Sequence, residues 1–243
     1  MSSHPSGGAF DRRTFLSAAL VGAFLPRVSL TAPINRLTQP LSKDDRDRMS
    51  PDQILDELKA GNERFRSGQM AGIDYRQQQL ASAAGQYPAA VILGCVDSRG
   101  PAEIIFDVGI GDIFNARVAG NVVSDDLLGS LEFACAAAGA KAIVLLGHTA
   151  CGAIKSAIDN VALGHLSGLL AQIRPAIAAT TFSGERSSRN PVFVDAVART
   201  NVRLGIEAIR RRSSVLADLE HKKMITITGA MYDLATGVVQ FDG

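Results

Sequence analysis

Two short apolar runs constrain the fold of this chain more than any other feature. Residues 89–94, "AAVILG", and 142–146, "AIVLL", have the length and branched apolar composition of buried strands. Between them, from about Ser124 to Ala138, lies a helical pattern with Ser124 as its cap and Asp125 and Asp126 in the positively polarised first turn. Strand, helix, strand in that order requires a crossover, so the two strands pair in parallel. The chain is therefore expected to be α/β, a central mostly parallel sheet flanked by helices.

The flanking segments fit that scheme. "SPDQILDELKAGNERF" carries Ser50 as N-cap, Pro51 at the first helical position and Gln53 three residues after the cap, then Ile54, Leu55, Leu58 and Phe65 at helical spacing. Further helices are expected over 152–160, 166–179 and 191–219. "MITITGAMYDLATGVVQF" reads as a closing strand, a turn at Ala235–Gly237 and a last edge strand. No internal repeat interrupts this order.

The front of the chain is different. "DRRTFLSAALVGAFL", residues 11–25, sets Arg12 and Arg13 before an apolar stretch of about 10 residues, too short to span a bilayer as a mature helix. It looks like a twin-arginine export signal, with small residues suited to cleavage in "SLTAP" at 29–33. Residues 1–32 are expected to be that leader and 33–49 a solvated polar linker. The folded domain is then 50–243, located in the periplasm or otherwise outside the cytoplasm, with no membrane span after processing.

A formal net charge of +1 with no single-sign run gives nucleic acid no footprint. Three cysteines, Cys95, Cys135 and Cys151, make a poor disulfide framework and point towards a metal or catalysis. Cys95 lies just beyond the end of the first strand, and His148 and Cys151, in "GHTACGA", just beyond the end of the second. In open α/β sheets that edge is where sites are built. Two thiolates and an imidazole suit zinc, and three protein ligands leave the fourth tetrahedral position open, which points to catalysis. Cys151 also opens a helix, whose free N–H groups favour the thiolate. Cys135 sits on an apolar helix and is expected in the core. His4, His165 and His221 have no ligand-spaced neighbours.

These residues carry a family resemblance. Cys95-Val96-Asp97-Ser98-Arg99, followed about fifty residues later by His148-Thr149-Ala150-Cys151, resembles the paired motif of the β-class carbonic anhydrases. "LKAGNERF", "GNV", "SLEFA" and "YDLATG" are similar to the same family, so the likeness runs from about residue 50 to the C-terminus. It implies reversible hydration of carbon dioxide to bicarbonate and a proton by hydroxide on a zinc ion held by Cys95, His148 and Cys151, the metal bringing its water's pKa down to about 7. Asp97 is then expected to orient the hydroxide through a hydrogen bond, with Arg99 keeping Asp97 ionised and paired rather than bound to the metal.

The resemblance also implies a substrate pocket lined by Gln86, Phe114 and Phe133, the last standing where plant-like members have a tyrosine. The style regulated by bicarbonate carries a tryptophan where Ile92 stands here. Arg117 matches a residue of that regulatory site and, without the tryptophan, is read as structural or interfacial. The family's members are at least dimers with pocket walls shared between subunits, so a homodimer or larger homo-oligomer is expected. Two other functions fit the same ligands: hydrolysis of a carbon dioxide analogue such as carbon disulfide or carbonyl sulfide, and a non-catalytic zinc-stabilised binding protein. The second is disfavoured because a structural site needs a fourth protein ligand and no Asp97–Arg99 pair.

Overall fold

The computed structural model describes residues 37–242; the expected leader, residues 1–32, lies outside them. In chain order the elements are α1 (Lys43–Arg48), α2 (Pro51–Ser67), α3 (Tyr75–Ser82), β1 (Ala90–Gly94), α4 (Ala102–Ile105), β2 (Ile113–Arg117) and α5 (Asp125–Glu132). There follow β3 (Ala142–His148), α6 (Gly152–Ile158), α7 (Leu166–Ala171), α8 (Arg174–Ala179), α9 (Pro191–Arg212), α10 (Ser214–His221), β4 (Thr226–Tyr232) and β5 (Val239–Phe241). The sheet order is β2-β1-β3-β4-β5, parallel except for the antiparallel β5.

The period-2 alternation of β1 and β3 divides the core into two layers. Val91, Leu93, Ile143 and Leu145 face α5, α6 and α8–α10, where they meet Leu131, Ile154, Val197 and Leu216. Ala90, Ile92, Val144 and Leu146 face the other way, onto Ile54 and Leu58 of α2, Ile105 of α4 and Phe106. With both faces covered, neither strand shows a polar side, which is why the sequence reads as continuous apolar runs. The capping box expected at α2 is present: Ser50 accepts from the Gln53 N–H while the Gln53 side chain accepts from the Ser50 N–H.

Several expectations are corrected. The described part of the 33–49 segment is not a solvated linker. Leu41 is buried and donates its N–H to Asp112 Oδ1 at 2.7 Å, α1 is capped by Ser42, and Lys141 Nζ donates to the Asp47 and Met49 carbonyls, both at 2.8 Å. The buried Arg46 guanidinium donates to the Ala138 carbonyl, so one charge of the run anchors the segment to the domain. The helix expected over 166–179 breaks into α7 and α8, because Pro175 has no N–H to donate and its ring clashes with the carbonyl four residues earlier. The helix expected over 191–219 breaks at Ser213, whose extended backbone turns its hydroxyl to accept from the Leu216 N–H and donate to Glu132 Oε1. The helix expected from 124 to 138 loosens into a π-turn at Phe133–Ala137. β2, α3 and α4 are additions to the expected order. No helix among the described residues is long and apolar enough to cross a membrane.

Candidate active site

The chain leaves β1 for β2 on one side and later lays β3 on the other side of β1, so the strand order reverses between β1 and β3. A crevice opens at the carboxyl ends of two strands that diverge in this way. Gly94 pairs with Leu146, which brings Cys95 level with the end of β3. The ligand-capable atoms of Cys95, His148 and Cys151 all lie within 4.8 Å of one another, and all three residues are buried. A tetrahedral zinc with ordinary bond lengths of about 2.0–2.3 Å separates its ligand atoms by roughly 3.5–3.8 Å, so the cluster needs only a small contraction to close on an ion.

The donor chemistry fits a divalent cation. His148 Nδ1 donates to the Thr149 carbonyl at 2.9 Å, which fixes the tautomer and leaves Nε2 with its lone pair. Nε2 is buried and finds no hydrogen-bond partner among the described residues. The neighbouring Cys151 thiol, donating to Cys95, pulls the Cys95 thiol down to about 4 against the opposing effect of burial, with help from His148 and the Gly120 N–H. Cys151 is pushed up by Cys95 and by burial. The protein alone thus makes one thiolate and a pair sharing a proton; a dication is what allows both sulfurs to ionise. Burial disfavours the His148 cation, but the Cys95 thiolate outweighs it and raises the imidazole.

Asp97 and Arg99 form a two-pronged pair, Nε to Oδ1 at 2.9 Å and Nη2 to Oδ2 at 2.7 Å, with the Arg99 N–H also donating to Oδ1 at 3.0 Å. The guanidinium holds the Asp97 carboxyl well below the usual carboxylate range despite partial burial. Asp97 Oδ2 lies 4.0 Å from His148 Nε2, beside the cluster and paired with Arg99.

Residues outside the ligand set hold the ligand loops, among them Arg117, read from the sequence as structural or interfacial, and Asp195 and Asn201, which the sequence did not single out. Arg117, at the end of β2, donates from Nε to the Cys95 carbonyl at 2.8 Å and from Nη2 to the Asp97 carbonyl. Its structural role is therefore specific: it clamps the backbone on both sides of Val96. The Gly120 N–H donates to Cys95 Sγ at 3.3 Å, and Asn201 of α9 donates to the Gly120 carbonyl at 2.9 Å. Gly120 has φ 67°, and a Cβ there would meet Ile173 Cδ1 at 2.7 Å, so only glycine fits the turn. Ala150, at φ 55°, is held by its N–H to Asp195 Oδ1 at 2.9 Å, and the Thr149 N–H donates to the Tyr232 carbonyl at 3.0 Å.

Gln86, Phe114 and Phe133 lie elsewhere. Phe114 pairs with Val91, four residues before Cys95 and so about 13 Å down the sheet at a strand's rise of about 3.3 Å per residue. Phe133 is 59% exposed and meets Phe114 edge-on, ring centroids 6.2 Å apart. Gln86 is exposed on the loop before β1, at the strand end opposite Cys95. The structure brings the two rings together but sets all three residues apart from this chain's own cluster. Cys135 is buried as expected, its thiol pushed up to about 12 by burial, and His165 and His221 are exposed. His4 lies outside the described residues.

A family model described as carbonic anhydrase matches residues 90–239. The chain is 37% identical over 185 residues to carbonic anhydrase 2 of Mycobacterium tuberculosis, covering 74% of this chain and 87% of that protein. It is 36% identical over 188 residues to the carbonic anhydrase of Mycolicibacterium smegmatis, covering 75% and 89%. Among solved structures, a tetrameric β-carbonic anhydrase from Sordaria macrospora superposes with a TM-score of 0.58 at 27% identity, covering 66% of this chain and 83% of that one. The β-carbonic anhydrase CafA of Aspergillus fumigatus gives 0.61 at 27% identity, covering 70% and 82%.

Proposed function

The chain belongs to the β-class carbonic anhydrases, zinc enzymes that reversibly hydrate carbon dioxide, and from that premise we propose how its own residues divide the work. Cys95, His148 and Cys151 would hold the zinc, which when bound supplies a water acidified towards neutral pH. Asp97 accepts a hydrogen bond from the attacking water and fixes the direction of its lone pair. Arg99 keeps Asp97 ionised and, through three hydrogen bonds, prevents its carboxylate from swinging onto the metal. His148 is locked in one tautomer by Thr149, so Nε2 always faces the ligand cluster. The observation that carries this reading is the meeting of three buried ligand atoms within 4.8 Å beside an ionised Asp97–Arg99 pair at the sheet's switch point. Stopped-flow hydration of carbon dioxide by the zinc-loaded protein tests it, with Arg99→Ala as the variant that should lose most activity while keeping its zinc.

The substrate wall is completed by a second copy of the chain. Gln86, Phe114 and Phe133 are too far from their own cluster to touch its substrate, yet Phe133 is 59% exposed and Val96, beside the ligand loop, is 55% exposed. A two-fold contact that covers these apolar side chains would bring one copy's aromatic pair to the other's ligand loop. In a two-fold dimer each copy lends its aromatic pair to the other's metal. Sedimentation of Phe133→Glu should show dissociation together with loss of hydration; a fully active monomer would refute the shared wall.

The domain acts outside the cytoplasm, delivered folded and metal-loaded by a twin-arginine leader within residues 1–32. "RRTFLS" before a short apolar stretch supports this, together with a metal site best filled before export. Arg12→Lys with Arg13→Lys should retain the protein inside fractionated cells, and unchanged export would remove the basis of the assignment.

A further inference from the structure

The last rung between β3 and β4 is made by a side chain. At the start of this parallel pairing Lys141 stands opposite Ile225, and its carbonyl accepts from the N–H one residue further on, Thr226, at 3.0 Å. At the far end His148 pairs with Tyr232, so Thr149 stands opposite Asp233 and the same pattern sets its carbonyl to accept the Leu234 N–H. The Thr149 N–H keeps its rung, donating to the Tyr232 carbonyl at 3.0 Å. The next rung does not follow. The Leu234 N–H donates instead to Thr149 Oγ1, at 3.0 Å, and the Thr149 carbonyl accepts from His148 Nδ1 at 2.9 Å.

The peptide between Thr149 and Ala150 is therefore turned out of the sheet and held at both ends. Its carbonyl meets the imidazole and its N–H donates to Asp195 Oδ1 at 2.9 Å, with Ala150 at φ 55° making the turn. Leu234 is fixed independently. Asp233 Oδ1 accepts the Ala235 and Thr236 N–H groups at 2.9 and 2.8 Å, and Asn62 of α2 donates to the Gly237 carbonyl and accepts from the Val239 N–H, both at 2.9 Å. An N–H held at the strand end needs an acceptor, and without a hydroxyl the ladder's own acceptor is the carbonyl that His148 uses. We propose that Thr149 is a positioning residue for the metal centre. Its hydroxyl stands in for its own carbonyl in the sheet and releases that carbonyl to hold His148 Nδ1–H, which aims Nε2 at the cluster. The inference rests on His148 being a zinc ligand.

Thr149→Val removes the acceptor at nearly constant shape, Thr149→Ala removes it without a branched side chain, and Thr149→Ser restores it. In chelator competition on the full chain, zinc affinity should fall about tenfold or more in the first two and stay within about threefold of wild type in the third, since loss of a partner behind a metal-bound histidine has that size. A second readout does not depend on affinity. In nuclear magnetic resonance of the zinc-loaded, isotope-labelled protein, the His148 Nδ1–H proton should be downfield and slow to exchange in wild type and Thr149→Ser. It should move upfield and exchange faster in Thr149→Val. His148→Ala tests the ligand itself: wild-type zinc affinity there would remove the ligand assignment and the proposal with it. If His148→Ala loses zinc while Thr149→Val keeps wild-type affinity and an unchanged Nδ1–H signal, the hydroxyl does no positioning and the proposal alone fails. Equal losses in the valine, alanine and serine variants would trace the effect to loop packing and overturn it as well.

Discussion

Arg117 offers the sharpest test of how the metal loop is held. Replacing it by Met keeps most of the stem's volume and removes both donors, so the Cys95 and Asp97 carbonyls lose their partner. A hydrogen bond to a charged group contributes about 1.5–3 kcal/mol when well buried. Arg117 is half-buried, and water can replace part of the bond to Asp97 but not easily that to the buried Cys95, so the loss should total about 2–3 kcal/mol. Because the clamp spans a ligand and the residue two beyond it, most of that cost should appear as a looser metal site. At 1.4 kcal/mol per tenfold, zinc affinity should fall by roughly 30- to 150-fold. Competition of the folded variant against a zinc chelator reads this directly, and far-ultraviolet circular dichroism establishes that the fold survives. Arg117→Lys, which restores the charge but not the fork, should recover only part of the affinity. If Arg117→Met is folded and binds zinc within about twofold of wild type, the clamp contributes less than about 0.4 kcal/mol and the reasoning fails.

Three other outcomes follow from the same geometry. Cys151→Ser should lose zinc by metal analysis whereas Cys135→Ser, which destabilises the core by about 1–3 kcal/mol through a buried hydroxyl, should keep full stoichiometry. Stripping zinc should lower the melting temperature; at free zinc about 100-fold above its dissociation constant the linkage is about 2.7 kcal/mol, or roughly 5–10 °C for a domain of this size. Gly120→Ala should weaken zinc binding as well as stability, since its Cβ would strike Ile173 at 2.7 Å and force away the N–H that holds Cys95; calorimetric zinc titration showing wild-type affinity would contradict this.

The sequence exposed some parts of this molecule and hid others for identifiable physical reasons. β1 and β3 were legible because strands buried on both faces must be apolar throughout. β2 was not, because an edge strand with an exposed Asn115 and half-buried neighbours carries neither a run nor a clean alternation. The 166–179 and 191–219 segments kept helical periodicity across their breaks, and the breaks came from Pro175 and from the Ser213 cap, local backbone events that a period does not register. The polar 41–49 segment looked solvated because it is held through backbone groups and one buried guanidinium: Arg46 donates to the Ala138 carbonyl and Lys141 to the Asp47 and Met49 carbonyls, contacts that composition cannot distinguish from exposure.

The same division runs through the active site. Metal ligation restricts residue type severely, so two cysteines and a histidine at strand ends declare themselves, and an Asp97–Arg99 pair beside them follows from the need for an ionised carboxylate. The groups that position those ligands act on backbone atoms: Arg117 on two carbonyls, Gly120 through its N–H, Asp195 on the Ala150 N–H, Asn201 on a carbonyl. A backbone carbonyl accepts from any donor that reaches it, so the chemistry does not dictate the partner and the spacing between partners is set only by the fold. Asp195 and Asn201 are both on α9, six residues apart, and each meets a different ligand loop. That helix is therefore a common brace for the turn after β3 and the turn after β2. A displacement of α9 along its axis would move the supports of Cys95 and Cys151 together, which ties metal affinity to the packing of a helix that contributes no ligand.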